Sequence, residues 1–302
     1  MAAALDWTRD GRNWPHRERS RFVAAGGQRW HVQQWPAPTA DALHVLLIHG
    51  TGASSHSWRG LAPLLAARCG VLSVDLPGHG FSDPASGDKA SMHGMARSLA
   101  ALTAALGITP RLCIGHSAGA AIAVRMALQN AAPATVVSLN GALLPLSGVA
   151  ASLFPPAARL LAANPLVPRL FSWHASGRTA MRRLLASTGS TLDEESAALY
   201  RLLAAHPGHV AGAMAMMARW DLPALAADLP RLASPLHLVV GSNDRTVPPT
   251  DALRVRKLLP QTRLHRLAGL GHLAHEEDPA AMARLVLGLI EPASARTISV
   301  AF

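Results

Sequence analysis

The sequence predicts an α/β protein: a mostly parallel eight-stranded sheet with helices on both faces and an inserted helical cap. Three observations carry that reading. Strand and helix patterns alternate from about Arg21 to Leu139 and again from Leu236 to Ile290, as successive strand–helix units do. Leu43 to Ile48 is a nearly unbroken apolar run, the mark of a strand covered on both faces. Finally, the short apolar run Leu112-Cys113-Ile114 enters the glycine-bounded turn Gly115-His116-Ser117-Ala118-Gly119. That turn opens a small-residue helix at Ala120-Ala121-Ile122-Ala123-Val124.

The elements follow in order. Arg21 to Ala24 and Gln28 to Gln34, around Gly26-Gly27, form an opening antiparallel hairpin. Strands follow at Leu43 to Ile48, Val71 to Val74, Leu112 to Ile114 and Thr135 to Leu139. Beyond the insertion come a strand at Leu236 to Val240, a helix from about Asp251 to Leu259 and a strand at Arg263 to Leu267. Between the two blocks the pattern turns helical, with breaks at Pro145, Pro155-Pro156, Pro165, Pro168 and Pro207-Gly208. The expected organisation is a core of residues 1–140 and 233–302 with a cap of residues 141–232. The tail from Pro292 to Phe302 is expected to be poorly ordered.

The chemistry begins at Ser117. Gly-x-Ser-x-Gly between a strand and a helix is the setting of a nucleophile elbow, a strained turn that lifts a serine hydroxyl above the sheet. A serine hydroxyl is a weak nucleophile at neutral pH and needs a base, which in turn needs an orienting acid. Asp244, in the turn Gly241-Ser242-Asn243-Asp244-Arg245, stands where an acid leaves the carboxyl end of a strand. His272, in the turn Ala268-Gly269-Leu270-Gly271-His272, stands where a base would be presented. His275 lies further along, toward the helix start Asp278-Pro279; Asp251 lies inside a predicted helix; and the other eligible strand ends in Asn140, which carries no charge. The catalytic set is therefore Ser117, Asp244 and His272, with Asp244 alternatively readable as a cap of the following helix.

Acyl transfer also needs donors aimed at a developing oxyanion. The backbone N–H of Ala118, at a helix N-terminus, is one, and that of Thr51, in His49-Gly50-Thr51-Gly52, is the second. His49 and His116 are expected to bond loop backbone. The loop Asp75 to Asp83 is expected to shape the floor of the site. In the cap, Phe154, Met214 and Met217 are the candidate substrate-pocket residues, although a helix such as His209 to Trp220 must also bury one stripe in the cap's own core.

These segments together resemble the α/β-hydrolase superfamily, in its ester- and epoxide-hydrolase-like branch. With serine at position 117 a carboxylate nucleophile is excluded, so the resemblance implies hydrolysis of an ester, thioester, lactone or related bond. The likeness extends to Leu5 to Pro15, Trp30 to Gln34, His49 to Trp58, Ser138 to Pro145, Pro207 to Ala213, Asp244 to Pro249 and Gly269 to Glu277. Over nearly the whole chain these are similar to the magnesium-chelatase accessory family of bacteriochlorophyll biosynthesis. That resemblance implies a role near magnesium insertion into protoporphyrin. It implies a small-molecule substrate, such as a tetrapyrrole or its ester, and contact with magnesium chelatase. A second function from another class is a non-catalytic porphyrin-binding accessory protein; C–C bond hydrolysis or perhydrolysis on the same triad is a third.

Composition sets the remaining bounds. The 302 residues include two cysteines, Cys69 and Cys113, both in apolar contexts, which points to a reducing compartment without disulfides. No metal-binding spacing is present, and neither metal nor cofactor is expected. No basic start precedes an apolar core at the N-terminus, and apolar stretches break before spanning length, so a cytoplasmic protein is expected, peripheral at the membrane if it touches one. The net charge is +10, carried by scattered arginines; Lys89 and Lys257 are the only lysines. No nucleic-acid motif accompanies this charge. Scattered arginines read first as a solvated surface; alternatively their forks suit an anionic ligand such as a porphyrin propionate, and the cap carries eight Arg against five acids. The segment holding Trp7, Arg9, Arg12 and Trp14 offers a membrane-facing surface.

Overall fold

The computed structural model describes residues 5–129, 135–145, 164 and 166–290. Eight strands form one sheet: β1 (Ser20–Ala25), β2 (Gln28–Trp35), β3 (His44–Ile48), β4 (Gly70–Val74), β5 (Pro110–His116), β6 (Thr135–Leu139), β7 (Leu236–Gly241) and β8 (Arg263–Leu267). Their order is β1-β2-β4-β3-β5-β6-β7-β8. The β1–β2 and β2–β4 pairings are antiparallel and the rest parallel.

Side chains alternate across the parallel strands, and each face has its own core. Leu46, Ile48, Leu72, Val74, Cys113, Val136 and Leu238 pack with Met95, Leu99, Ile122 and Val255, from the helices Met92–Ala105, Ala118–Leu128 and Thr250–Leu258. Val45, Leu47, Leu112, Ile114, Val137 and Val239 pack on the other face with Leu61, Leu65, Met282 and Val286, from Leu61–Ala66 and Pro279–Ile290. That double cover explains why β4 and β7 are buried at every position. β8 is one of the two sheet edges, and its exposed Arg263 and Arg266 place charge where a bare edge invites pairing.

Parallel strands deliver their carboxyl ends to one rim. His49, Asp75, Ser117, Asn140, Asp244 and His272 all follow such ends there. Between β6 and β7 the described chain is helical: Leu166–Ala175, Arg178–Ser187, Glu194–Ala204, Pro207–Ala218 and Leu222–Asp228.

The N-terminal segment departs from expectation. Trp7 and Trp14 do not face outward toward a membrane. The Trp7 ring lies 4.9 Å from both His31 and Phe81, with the Arg17 guanidinium 4.3 Å above it. Trp14 is buried with Phe81, Leu199 and Leu203, so the segment straps the inserted helices to the sheet. Burying Trp14 and partly burying Trp7 offsets the cost of ordering the strap, which their sequence position could not reveal. Asp10 adds a contact to His206 at 3.2 Å, and its hydrogen bond from Arg9 holds its carboxyl down to about 2. Phe154 and the tail from Pro292 lie outside the described residues.

Candidate active site

Ser117 sits between β5 and the helix Ala118–Leu128 with φ 52° and ψ −116°. A non-glycine residue held there stores about 1–3 kcal/mol of backbone strain, which surrounding contacts must hold in place. They do: Ser117 N–H donates to the Leu139 carbonyl at 3.0 Å, and the Ser117 carbonyl accepts from Ala142 at 3.1 Å. The flanking glycines are needed for space. A Cβ on Gly115 would lie 2.3 Å from the Gly119 oxygen, and one on Gly119 would lie 2.1 Å from the Ile48 oxygen. Ser117 is half-buried while its immediate neighbours are buried.

Asp244 and His272 meet: Nδ1 of His272 donates to Oδ2 of Asp244 at 2.9 Å. The same oxygen accepts from Asn140 Nδ2 at 2.7 Å, while Oδ1 accepts the N–H groups of Thr246 (2.8 Å) and Val247 (2.9 Å). Four donors thus fix the carboxylate. A proton on His272 Nδ1 leaves Nε2 as the acceptor nitrogen of the neutral ring. Ser117 Oγ is not hydrogen-bonded to this ring; the tie between elbow and ring runs through His116, whose Nε2 donates to the His272 carbonyl at 2.9 Å. The loop Thr188–Ser190 clamps both turns: the Thr188 carbonyl accepts from Arg245 at 3.1 Å, and Ser190 Oγ accepts from Leu273 N–H at 2.8 Å.

Ala118 begins the helix after the elbow, and Thr51 lies in the loop after β3. Among the described residues neither backbone N–H meets an acceptor. The Thr51 loop presses against the elbow, since a Cβ on Gly50 would come 3.0 Å from Ser117 Cβ. Met214 and Met217 are half-buried on the helix Pro207–Ala218, but the methionine set against the Thr51 loop is the intervening Met216, fully buried, with Sδ 3.5 Å from Thr51 Oγ1. A helix advances about 100° per residue, so a methionine-rich helix offers one on nearly every side, and composition alone does not choose among them.

Several residues were not singled out by sequence reasoning. Asn140, set aside there as an acid, donates to the acid. His209 joins the inserted helix to two core loops: Nδ1 accepts from Gly80 N–H at 3.0 Å and Nε2 donates to the Gly52 carbonyl at 3.1 Å. Beside it the helix backbone rests on the loop after β4, where a Cβ on Gly212 would be 1.9 Å from the Gly78 oxygen. Asp75 is wholly buried and accepts from His31 Nδ1 (2.8 Å), Ser55 N–H (2.7 Å) and Phe81 N–H (2.9 Å), donors that hold it well below the usual carboxylate range against burial. The Glu276 side chain is buried, accepts from Tyr200 Oη at 2.6 Å, and is pushed by burial up to about 8. Six buried histidines are held neutral by their burial. Burial lowers His49 to about 4 and His79, His209 and His275 to about 3, and it takes His56 and His116 well down too. As expected, His49 bonds backbone: its Nε2 accepts from Leu76 N–H at 2.9 Å. Among the described residues there is no cluster of three or more His, Cys, Asp or Glu placed to hold a metal ion.

Residues 44–279 match the family model of the alpha/beta hydrolase fold. The chain is 40% identical, over 92% of its length and 97% of the relative's, to the magnesium-chelatase 30 kDa subunit of Rhodobacter capsulatus. It is 29% identical, over 82% of its length and 87% of the relative's, to 2-hydroxy-6-oxononadienedioate/2-hydroxy-6-oxononatrienedioate hydrolase 2 of Pseudomonas putida. Among solved structures, a meta-cleavage product hydrolase from Pseudomonas fluorescens superposes with a TM-score of 0.71 at 21% identity, covering 90% of this chain and 97% of that one. An alpha/beta hydrolase fold protein from Burkholderia ambifaria superposes with a TM-score of 0.72 at 22% identity, covering 95% and 100%. On the elbow, the sheet order and these likenesses together, the chain belongs to the α/β-hydrolase fold family, in the group that includes the R. capsulatus magnesium-chelatase 30 kDa subunit.

Proposed function

We propose that the protein is a serine hydrolase of an ester, thioester or related acyl bond, acting in bacteriochlorophyll biosynthesis near magnesium insertion into protoporphyrin. The observation that carries the chemistry is the 2.9 Å bond between His272 and a four-donor Asp244, on the same rim as a strained, half-buried serine. Ser117 Oγ attacks the acyl carbonyl carbon and its proton passes to His272 Nε2. The Ala118 and Thr51 N–H groups hold the oxyanion. Collapse expels the alcohol or thiol, which takes the proton from His272 and leaves an acyl-serine. Water then attacks, giving its proton to His272, and the acid departs as Ser117 recovers its hydrogen. Residues 141–232 act as the cap over this rim, and Met214 and Met217 line the approach to it, with Phe154 the further candidate. The pathway assignment is supported by the chelatase-subunit relative, and a contact with magnesium chelatase belongs to the proposal. Among the described residues no helix is long and apolar enough to cross a membrane, and we place the protein in the cytoplasm with a peripheral membrane contact.

A fluorophosphonate probe tests the chemistry: it should label Ser117 in the wild-type protein and leave Ser117→Ala unlabelled. Folded wild-type protein that resists the probe would overturn the hydrolase reading. The relative's name also supports a second reading, a tetrapyrrole-binding accessory protein whose serine is dispensable. Complementation of a deletion strain by Ser117→Ala, at wild-type pigment levels, would select it.

A further inference from the structure

The helix Leu166–Ala175 is inside out. A helix packed on a protein normally turns its large apolar residues inward and its small or polar ones to water. Here Pro168, Ser172 and Ala175 are the buried positions. Leu166, Leu170 and Trp173, which share the opposite stripe at i, i+4 and i+7, are 56%, 65% and 80% exposed. Phe171 and, on the next helix, Leu184 are exposed as well. One bare leucine is ordinary on a surface; a tryptophan, a phenylalanine and three leucines on two adjoining helices are not.

Along the stretch of sequence that carries this stripe the charge has one sign. From Gly141 to Leu192 the sequence contains five arginines and no aspartate or glutamate. Arg178 and Arg182 reach Glu194 at 2.7 and 3.1 Å, whereas Arg169 and Arg183, both exposed, have no carboxylate partner among the described residues. Guanidinium groups flanking an exposed Leu/Trp/Phe stripe are the composition of an interfacial helix, which sinks its apolar face into the acyl boundary while its cations meet lipid headgroups.

We propose that Leu166–Ala175, with Leu184 beside it, is the surface by which this protein binds an anionic phospholipid bilayer. It gives a place to the peripheral contact named above and stands independently of whether Ser117 is catalytic. Co-sedimentation of the full chain with vesicles tests it, comparing phosphatidylcholine alone with a phosphatidylcholine–phosphatidylglycerol mixture. Binding should favour the anionic vesicles and weaken with salt. Leu170→Ser combined with Trp173→Ser should lower the partition coefficient more than tenfold. Arg169→Gln with Arg183→Gln should lower it about thirtyfold on anionic vesicles, at roughly one kcal/mol for each cation, and little on neutral ones. Ser117→Ala should bind as the wild type does, so that failure of the catalytic reading and failure of this one are read separately. These positions are exposed, and unchanged far-ultraviolet circular dichroism shows that the variants fold. Absence of binding to anionic vesicles, or binding that the double variants leave intact, would overturn the proposal. A concentration-dependent dimer abolished by Leu170→Ser/Trp173→Ser, without vesicle binding, would instead give the face to a second copy of the chain.

Discussion

Mild acid should unfold this protein, and the reason is its buried histidines. His49, His56, His79, His116, His209 and His275 are all held neutral by burial. Two of them are also locked by geometry, because His49 Nε2 and His209 Nδ1 accept backbone N–H bonds that a proton would abolish. In the unfolded chain each would titrate near its ordinary value of about 6.5. Below that value the unfolded state binds protons that the folded state refuses, so stability falls with pH until the depressed folded values are reached. From pH 7 to about 5.5 each group costs about 1.3 kcal/mol, so six cost on the order of 7 kcal/mol. Glu276 works the other way: its folded value is raised, so protonation returns about 2 kcal/mol over the same interval. The balance is a loss on the order of 5 kcal/mol, comparable to the whole stability of many domains. Urea unfolding followed by tryptophan fluorescence at a series of pH values is the assay. The midpoint should drop steeply below about pH 6.5, and His209→Gln should make the drop shallower by about one group's share. A midpoint that stays level from pH 7 to 5.5 would refute the reasoning.

Other perturbations have definite expectations. Glu276→Gln keeps an acceptor for Tyr200 and removes the ionisation that burial penalises; the variant's stability relative to wild type should grow by about 1.1 kcal/mol per pH unit from pH 6.5 to 8, read from urea curves. Asp244→Asn should lower kcat by about 10⁴ on any substrate found, since the amide no longer holds His272 in the tautomer with its proton on Nδ1; near-normal turnover would remove Asp244 from the proposed triad. Asn140→Ala deletes one of four donors to Asp244 and should cost about tenfold in kcat with little change in KM. Gly212→Ala forces the inserted helix off the Gly78 carbonyl and should cost about 1–3 kcal/mol in denaturant unfolding, whereas an unchanged midpoint would show that the loop gives way freely.

The sheet was legible because its signals are local. Apolar runs mark strands covered on two faces, and glycine, serine and aspartate mark the turns that follow. The elbow, the Asp244 turn and the His272 turn each carry such a signal, and the structure brings the last two into contact. What stayed hidden depends on meetings between distant segments. Nothing near Asn140 states that its amide will reach a residue of the following strand's loop. Nothing in Pro207-Gly208-His209 states that the imidazole will bridge Gly52 and Gly80. Trp7 and Trp14 read as interfacial residues because two tryptophans among arginines have that composition, and only the partners Phe22, His31 and Phe81 reveal a core use. The exposed stripe at Leu166–Ala175 escaped for the opposite reason: periodicity detects an apolar face but not the side on which water lies.

The junction at Gly212 and His209 has a mechanical consequence. A segment whose backbone abuts another strand's loop, and whose imidazole is bolted at both nitrogens, cannot swing like a door. Pro207–Ala218 is therefore a doorpost, and under the proposed mechanism traffic to and from Ser117 must use whatever yields elsewhere. Any pull that does reach this post is passed directly to Gly52, one residue from the Thr51 amide, so a tug on these helices becomes a displacement at the rim that carries Ser117.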